Sequence, residues 1–404
     1  TSFCVGLLCM SSSPSFNSSF TRLILILSSV VAFGALAIDM YLPALPVMAI
    51  DLAATSAQLQ LSLSVFFAGF CIGMLIYGPL SDYFGRRKLL LSGIALFAVS
   101  SLICAFVNDV QHLLILRGVQ ALGCGACVVM ARAATRDIFP PAQLPSMMSK
   151  MSLVTMTAPL LAPSIGAVCL MIAGWRFIFV VLAVFASGAF YFVHRDVPET
   201  HQPDKSQGLH VFRVLRSYWA LLTWDNVTLM MLMACAMSGM FAFISGASFV
   251  YTQLLGFTEL EFALLFGSNI IAMSLVTTLN LYLLKRFSAQ KLMVYQASVL
   301  AFAGLALVLL TPYGRWIIPF VVLYVAHVNA LCANGMAILL HRHDRQQAGS
   351  VTALAVSLQF ATAAVSTFLV SVFSHSPAFA MTGVMLVFAM VACACAWIQK
   401  EPAK

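Results

Sequence analysis

The sequence predicts an all-α membrane protein of twelve transmembrane helices in two six-helix bundles, and three observations lead there. Residues of the set AVILMFWYC make up 62% of the chain and charged residues 8%, against roughly half and a quarter in an average soluble domain; the mean hydropathy is +0.99. The apolar residues gather into stretches of about 20, the length that crosses a ~30 Å hydrocarbon core as a helix. One long polar connection splits these stretches into equal groups. They run over 23–42, 57–77, 89–107, 113–134, 148–172 and 176–193, then 225–249, 260–284, 292–311, 317–340, 350–373 and 379–398. Lipid-facing backbone must bond within itself, and none of the stretches alternates as a barrel strand does, so each is expected to be a helix.

The organisation follows: a tail over 1–22, a first bundle over 23–193, a linker over 194–224, a second bundle over 225–398 and a short tail over 399–404. In the tail, TSFCVGLLC lacks the basic start of a signal peptide and precedes Met10, the expected natural start. Positively charged short loops stay in the cytoplasm. Arg86, Arg87, Lys88, Arg136, Arg195, Lys205, Arg213, Arg216, Lys285, Arg286, Arg342 and Arg345 fall on one side, and only Arg176 and Arg315 on the other. Both termini are therefore expected in the cytoplasm. The net charge of +8 is mostly this topology signal and implies a lipid bilayer as partner, not nucleic acid. In the linker, VFRVLRSYWALLTW reads either as a short helix lying in the membrane interface or as plain connection.

The cysteines look like a disulfide set until they are placed on the spans, where Cys71, Cys104, Cys169, Cys235 and Cys332 sit inside apolar helices. Cys124 and Cys127 form a C-x-x-C, but within the small-residue run GCGAC close helix packing accounts for them better than metal or redox chemistry. No metal site and no cofactor is expected.

Three motifs carry more. GPLSDYFGRRK, residues 78–88, joins the second and third spans with Gly78, Leu80, Asp82, Gly85, Arg86 and Arg87 in fixed spacing. Gly85 suits a tight turn, the bases hold the loop inside, and Asp82 can pair with a base or a helix N-terminus. The matching segment of the second half, NLYLLKRFSAQK, keeps Lys285 and Arg286 but has no acid. LILRGVQALGCGA places Arg117, Gln120, Gly123 and Gly125 on the fourth span, and APLLAPSIG places Pro159, Pro163 and Gly166 on the fifth. The first of these resembles the loop signature of the major facilitator superfamily, G-x-L-a-D-r-x-G-r-r. The second is similar to its fourth-span motif, with Ala121 where a Gly is usual, and the third to its antiporter motif, with Ala158 for the first Gly. With IDMYLPALP, RDIFP and GMFAFISGASFVY, the likeness covers almost the whole chain and looks like the Bcr/CflA type of drug:proton antiporter. The resemblance implies a bacterial inner-membrane exporter of bicyclomycin, chloramphenicol or florfenicol, working as a monomer, with a small-molecule drug and protons as partners.

Asp39 is the one acid well inside a span, and an ionised acid at membrane depth costs roughly 2.5 kcal/mol or more, so it is expected to face a cavity and to serve proton coupling. Counted from Arg22 it lies about 25 Å along the helix, in the outer part of the bilayer. Arg117, entering from the outer side, reaches similar depth, and the two are expected to act together; a structural Asp39–Arg117 ion pair is the plainer alternative. The resemblance points to the same two residues. Arg132, about four turns further along, reads more simply as snorkelling to the interface than as a gate contact. Intramembrane amides can line a cavity or tie helices together; Gln60, Asn269 and Asn334 are assigned to the cavity, and Asn280, Asn329 and Gln359 are left open. Phe241, Phe243 and Tyr251 suit either an aromatic wall or packing.

The leading reading is thus proton-coupled export of neutral or zwitterionic amphiphiles, with a proton symporter or uniporter of a small metabolite as the alternative. An enzyme would need a catalytic cluster, and His327, the one His well inside a span, has no acid nearby in sequence. A receptor would carry a soluble domain. No nucleotide-binding motif is present, so a gradient must supply the energy.

Overall fold

Without water to serve an open backbone, a chain in lipid can only run as helix or closed barrel, and the computed structural model is helical nearly throughout its described residues, 18–140, 143–200, 218–344 and 347–399. Of the segment 211–224, read as an interfacial helix or plain connection, 211–217 lie outside them and 218–221 form one helical turn. The first half comprises α1 (Ser18–Val31), α2 (Phe33–Asp39), α3 (Leu45–Asp51), α4 (Ser56–Phe84), α5 (Arg86–Cys104), α6 (Val110–Ile138), α7 (Leu144–Ala173) and α8 (Trp175–Asp196). The second comprises α9 (Trp224–Phe249), α10 (Glu259–Leu283), α11 (Ala289–Leu310), α12 (Ile318–His341), α13 (Ala348–Val372) and α14 (Pro377–Ile398).

The three pieces α1–α3 form a single first crossing, so with α11 and α12 counted separately across the kinked turn at Gly314 the described residues make twelve. This first crossing extends to Asp51, not Leu42. The chain past the Pro43 break stays apolar and resumes as helix, and Asp39 consequently lies near the middle of the crossing rather than toward one end. Exposed large apolar residues such as Ile115, Leu153, Val184, Leu264 and Phe302 face outward, as a lipid boundary requires.

Local chemistry sets the ends. α4 and α10, the second crossing of each half, both begin with a capping box: Gln58 N–H donates to Thr55 Oγ1 and Glu261 N–H to Thr258 Oγ1, while each Thr N–H donates back to the acceptor side chain. Asp109 caps α6 through the Gln111 N–H.

In the first half α4 and α5 both pack on α6, and small residues make that contact. A Cβ built on Gly69 would lie 2.6 Å from the Gly118 carbonyl, one on Gly93 2.5 Å from Ala126 Cβ, and one on Gly125 2.8 Å from Gly73 Cα. Backbone thus meets backbone, the packing that holds helices together where lipid is as apolar as leucine. Cys124 and Cys127 are enclosed on this same helix, α6. Between the halves α4 runs against α13, where Ser64 Oγ donates to the Ala364 carbonyl at 2.7 Å, and α7 runs against α10.

Gly125→Leu is therefore expected to force α4 and α6 apart and to cost about 1–3 kcal/mol. Thermal melting in detergent checks this, with Gly188→Leu, whose Cβ would meet nothing within 4 Å, expected to melt like the wild type.

Candidate functional site

The first crossing breaks just past Asp39, and the sequence says why. Pro43 has no N–H for the Asp39 carbonyl, and Pro46 none for that of Leu42, so the chain passes through a turn and the 3-10 segment Leu42–Ala44 before helix resumes. Two contacts hold the break. Gly166 of α7 sits against Met40, where a Cβ would come within 2.1 Å of the carbonyl oxygen. From α6, Arg117 Nη1 donates to the Ala37 carbonyl at 3.0 Å and to Gln120 Oε1 at 2.6 Å.

Arg117 is fully enclosed. Its guanidinium carbon lies 4.6 Å from the Tyr41 ring centroid and 4.3 Å from that of Phe66. Gln120 Nε2 passes the chain on to Ser101 Oγ at 2.7 Å, and Tyr41 Oη pairs with Ser62 Oγ at 2.9 Å. Two aromatic faces thus stand where a counter-ion would be expected.

Asp39 and Arg117 do not pair. Ala37 and Tyr41 are four residues apart and share the helix face turned to α6. Asp39, two residues from Ala37, is rotated by about 200° and looks the other way. It lines a cavity of about 260 Å³ between the halves and is only 5% exposed. Among the described residues it forms neither an ion pair nor a side-chain hydrogen bond.

Of the residues assigned to the cavity from sequence, Asp39, Phe241, Phe243 and Asn269 line it, and Gln60, Arg117 and Asn334 do not. Asn334 is one corner of a buried amide triangle: Asn280 Nδ2 donates to Asn334 Oδ1 at 3.0 Å, and Gln296 Nε2 to Asn280 Oδ1 at 2.9 Å. Asn334 Nδ2 completes it by donating to Asn280 and Gln296. That network ties α10, α11 and α12. Gln60 is enclosed, with neither amide atom partnered. Arg132, read from sequence as snorkelling, is exposed and also lines the cavity. An aromatic wall joins the halves across it: Phe67 and Phe241 are 4.4 Å apart by ring centroid, Phe70 and Phe360 4.5 Å, and Phe241 and Phe360 5.8 Å. Phe360 and Phe70 carried no sequence signal beyond being aromatic within a span. Of the antiporter-motif residues, Pro159 lines the cavity and Pro163 is buried nearby on α7.

The 78–88 motif lies at one end of the bundle. Gly85 separates α4 from α5 with φ at +88°, a conformation that only glycine adopts without strain. The exposed N–H groups of Arg86 and Arg87 donate to Glu199 Oε1 at 2.9 and 3.2 Å, a carboxylate at a helix N-terminus. Arg86 pairs with Asp137 at 2.9 Å, Thr200 Oγ1 donates to Asp137 at 3.1 Å, and Arg87 Nη2 donates to the His194 carbonyl. The Asp82 side chain lies outside the described residues, and Gly78 faces open space. Glu199 had no sequence signal, because its partner helix is more than a hundred residues away. In the second half Ser288 caps α11 through the Lys291 N–H where the first half uses Gly85 and Glu199.

At the opposite end Asp51 accepts from Trp175 Nε1 at 2.8 Å and from Arg176, which also reaches the Val107 carbonyl and Asn108. Tyr41, Leu42, Leu45 and Met48 are fully buried there, and the Leu42–Ala44 segment and α3 pack against α9 and α10.

Two groups of six crossings enclose a central cavity, and the family to which this arrangement belongs is one of transporters, not enzymes. The chain belongs to the major facilitator superfamily: the family model matches residues 27–367. Within it the chain falls in the Bcr/CflA group. It is 32% identical over 374 residues to a bicyclomycin resistance protein homolog of Haemophilus influenzae, covering 91% of both chains. It is 33% identical over 261 residues to a chloramphenicol resistance protein of Pseudomonas aeruginosa (64% of this chain, 61% of that one), and 30% identical over 247 residues to multidrug resistance protein D of Escherichia coli (61% of each). Among solved structures it shares the fold of a D-xylose-proton symporter, with TM-score 0.73 and 15% identity over 93% of this chain and 97% of that one. The nucleoside transporter NupG gives 0.73 and 12%, over 94% and 98%.

Two outcomes are expected. Arg117→Lys keeps the charge but not the flat face between two rings, and should lower the melting temperature by an amount equivalent to about 1–2 kcal/mol; wild-type melting would mean that charge alone matters. Gly166→Val should push α7 off the break beside Asp39 and slow transport at least tenfold, with ligand affinity changed much less, as separate binding and flux measurements would resolve.

Proposed function

We propose that the chain exports neutral or zwitterionic amphiphiles of the phenicol or bicyclomycin kind in exchange for protons, by alternating access. The observation that carries this reading is Asp39: a carboxyl 5% exposed, unpartnered, on the wall of an aromatic-lined cavity between the halves. An unpartnered acid at membrane depth marks a proton path or an ion site. A carboxyl in a water-poor cavity tolerates its two protonation states very differently, so a drug that enters can displace the proton and a proton that enters can displace the drug. The names of the relatives, bicyclomycin and chloramphenicol resistance proteins, support a drug as the cargo.

In this reading the chain is a monomer in the bacterial inner membrane. The end carrying Arg86, Asp137 and Glu199 faces the cytoplasm together with both termini. With the cavity open to the cytoplasm, Asp39 releases its proton and drug binds among Phe241, Phe243 and Phe360. The halves then rock, the segment at 40–51 parts from α9 and α10, drug leaves, and Asp39 is reprotonated from outside. The contacts of Arg86, Asp137 and Glu199 on the cytoplasmic side remake and break as this happens, and Gly85 permits the turn that holds them. Arg117 keeps the break in the first crossing fixed so that Asp39 stays aimed at the cavity.

Asp39→Asn keeps the shape but carries no proton. It should abolish uphill export in proteoliposomes under an imposed pH gradient while downhill exchange of drug persists. Uphill export by the Asn variant at the wild-type rate would remove Asp39 from the coupling. For a neutral drug exchanged against one proton, net charge moves, and 100 mV is worth about 2.3 kcal/mol per charge. Export of a phenicol should therefore also rise with a potential clamped by valinomycin and potassium at fixed pH gradient.

A further inference from the structure

Arg132 occupies an unusual position. It projects from α6 into the same cavity as Asp39, and among the described residues it too forms neither an ion pair nor a side-chain hydrogen bond. The rest of the lining is almost wholly apolar or aromatic, with Asn269 and Thr155 as the neutral polar exceptions. Asn269 leaves its Oδ1 without a partner. One cavity thus holds one acid and one base on different helices, α2 and α6, each free of any protein partner. Three Arg–Asp pairs elsewhere in this molecule do bond: Arg86 with Asp137, Arg22 with Asp196, Arg176 with Asp51. Asp39 is withdrawn from bulk water and stays uncompensated at a cost, while Arg132 is exposed and keeps its guanidinium accessible from the cavity, so a ligand that meets both recovers that cost at Asp39 and finds Arg132 free to bond.

We propose that Arg132 is the acceptor-binding pole of the transport site. The cargo is a dipolar molecule that sets a cationic or hydrogen-bond-donating end on Asp39 and a carboxylate, sulfonyl or carbonyl-rich end on Arg132. Phe70, Phe241 and Phe360 hold the apolar body between them. The inference rests on the export reading above and narrows its substrate class. The chemistry separates three kinds of molecule. A zwitterion satisfies both poles, and the flat fork of a guanidinium matches a carboxylate with two parallel bonds. A neutral molecule with donors at one end and acceptors at the other satisfies both more weakly. A lipophilic cation meets Asp39 but is repelled by Arg132, so Arg132 selects against it. Arg132 also solves a difficulty of exchange. The donor end of the drug competes with the proton for the Asp39 carboxylate, so affinity gained there is contested, whereas affinity gained at Arg132 is not.

The test uses the purified full chain and three probes: a zwitterionic fluoroquinolone, a neutral phenicol and tetraphenylphosphonium. Their binding is compared in the wild type, Arg132→Gln and Arg132→Lys, all checked for a monodisperse elution profile. Arg132→Gln is expected to weaken the fluoroquinolone about tenfold or more and the phenicol by a smaller factor, while tetraphenylphosphonium binds as well or better. Arg132→Lys, which keeps the charge but not the fork, should recover most of the fluoroquinolone affinity. Wild-type affinity of Arg132→Gln for the fluoroquinolone would overturn the proposal, and so would equal loss of all three probes, the mark of a structural role. If the wild type itself bound none of the three, the export reading would fall, an outcome distinct from any pattern among the variants.

Discussion

The break in the first crossing is the constraint on which the site depends. Had the helix run straight through residues 40–46, the carbonyl of Ala37 would bond within the helix. Arg117 would then lose the acceptor that keeps an uncompensated guanidinium inside the protein. The prolines create the opening, Arg117 fills it, and Gly166 lets α7 approach closely enough to hold it from the other side. Asp39 inherits its orientation from this arrangement. One helical face is committed to α6 through Ala37 and Tyr41, and the residue midway between them must point into the space between the halves. The fourth-span Arg and the fifth-span Gly, two motifs far apart in sequence, thus serve the same few residues of the first crossing.

The halves answer the lack of a hydrophobic driving force in lipid by different means. The first half relies on glycine and alanine, bringing α4, α5 and α6 into backbone contact. The second relies more on polar bonds between helices: the Asn280–Gln296–Asn334 triangle, Thr311 with Thr382 at 2.9 Å, and Ser366 to the Ser238 carbonyl at 2.8 Å. Both kinds of contact are satisfied within one half, so neither has to break in the proposed rocking of the halves. Among the described residues Ser64 bonds the Ala364 carbonyl across the halves, and aromatic contacts span them as well, as with Phe67 on Phe241 and Phe70 on Phe360. Rings can slide and re-stack at small cost compared with a broken buried hydrogen bond.

Much of this was legible in the sequence because membrane physics writes in coarse letters. Span length and loop charge follow from the bilayer, and the Gly85 turn, the Arg117 motif and the Pro–Gly segment of the fifth span are local patterns. Asp39 stood out because an acid is rare in such a setting. What could not be read was direction. Depth along a helix places Asp39 and Arg117 side by side, but depth says nothing of azimuth, and a rotation of about 200° between Ala37 and Asp39 sets apart two residues expected to act together and removes the alternative of an ion pair. The cavity beside Arg132 was hidden for the same reason: an exposed base near a helix end fits snorkelling, and only the position of the second half shows that this one also borders a cavity. Asn334 and Gln60 are amides like Asn269, and nothing local distinguishes the one that faces the cavity from those that do not. Glu199 and Asp137 illustrate the remaining limit, since an acid becomes a helix cap or a latch only through a partner distant in the chain.

The charges of the core fall unevenly, and that unevenness has a mechanical meaning. Asp39, Arg117 and Arg132 all belong to the first half, while the second half contributes Phe241, Phe243, Phe360 and Asn269 to the same cavity. A change in protonation at Asp39 therefore alters the field on one wall alone, leaving the facing wall to respond through packing. Because the facing wall is aromatic and neutral, it imposes little demand on where a ligand's charge must lie and can accept bodies of different outline. Discrimination then resides in the first half and tolerance in the second. Under the proposed exchange, a site built this way can accept several related molecules while still requiring each to contest Asp39, the carboxyl assigned to coupling.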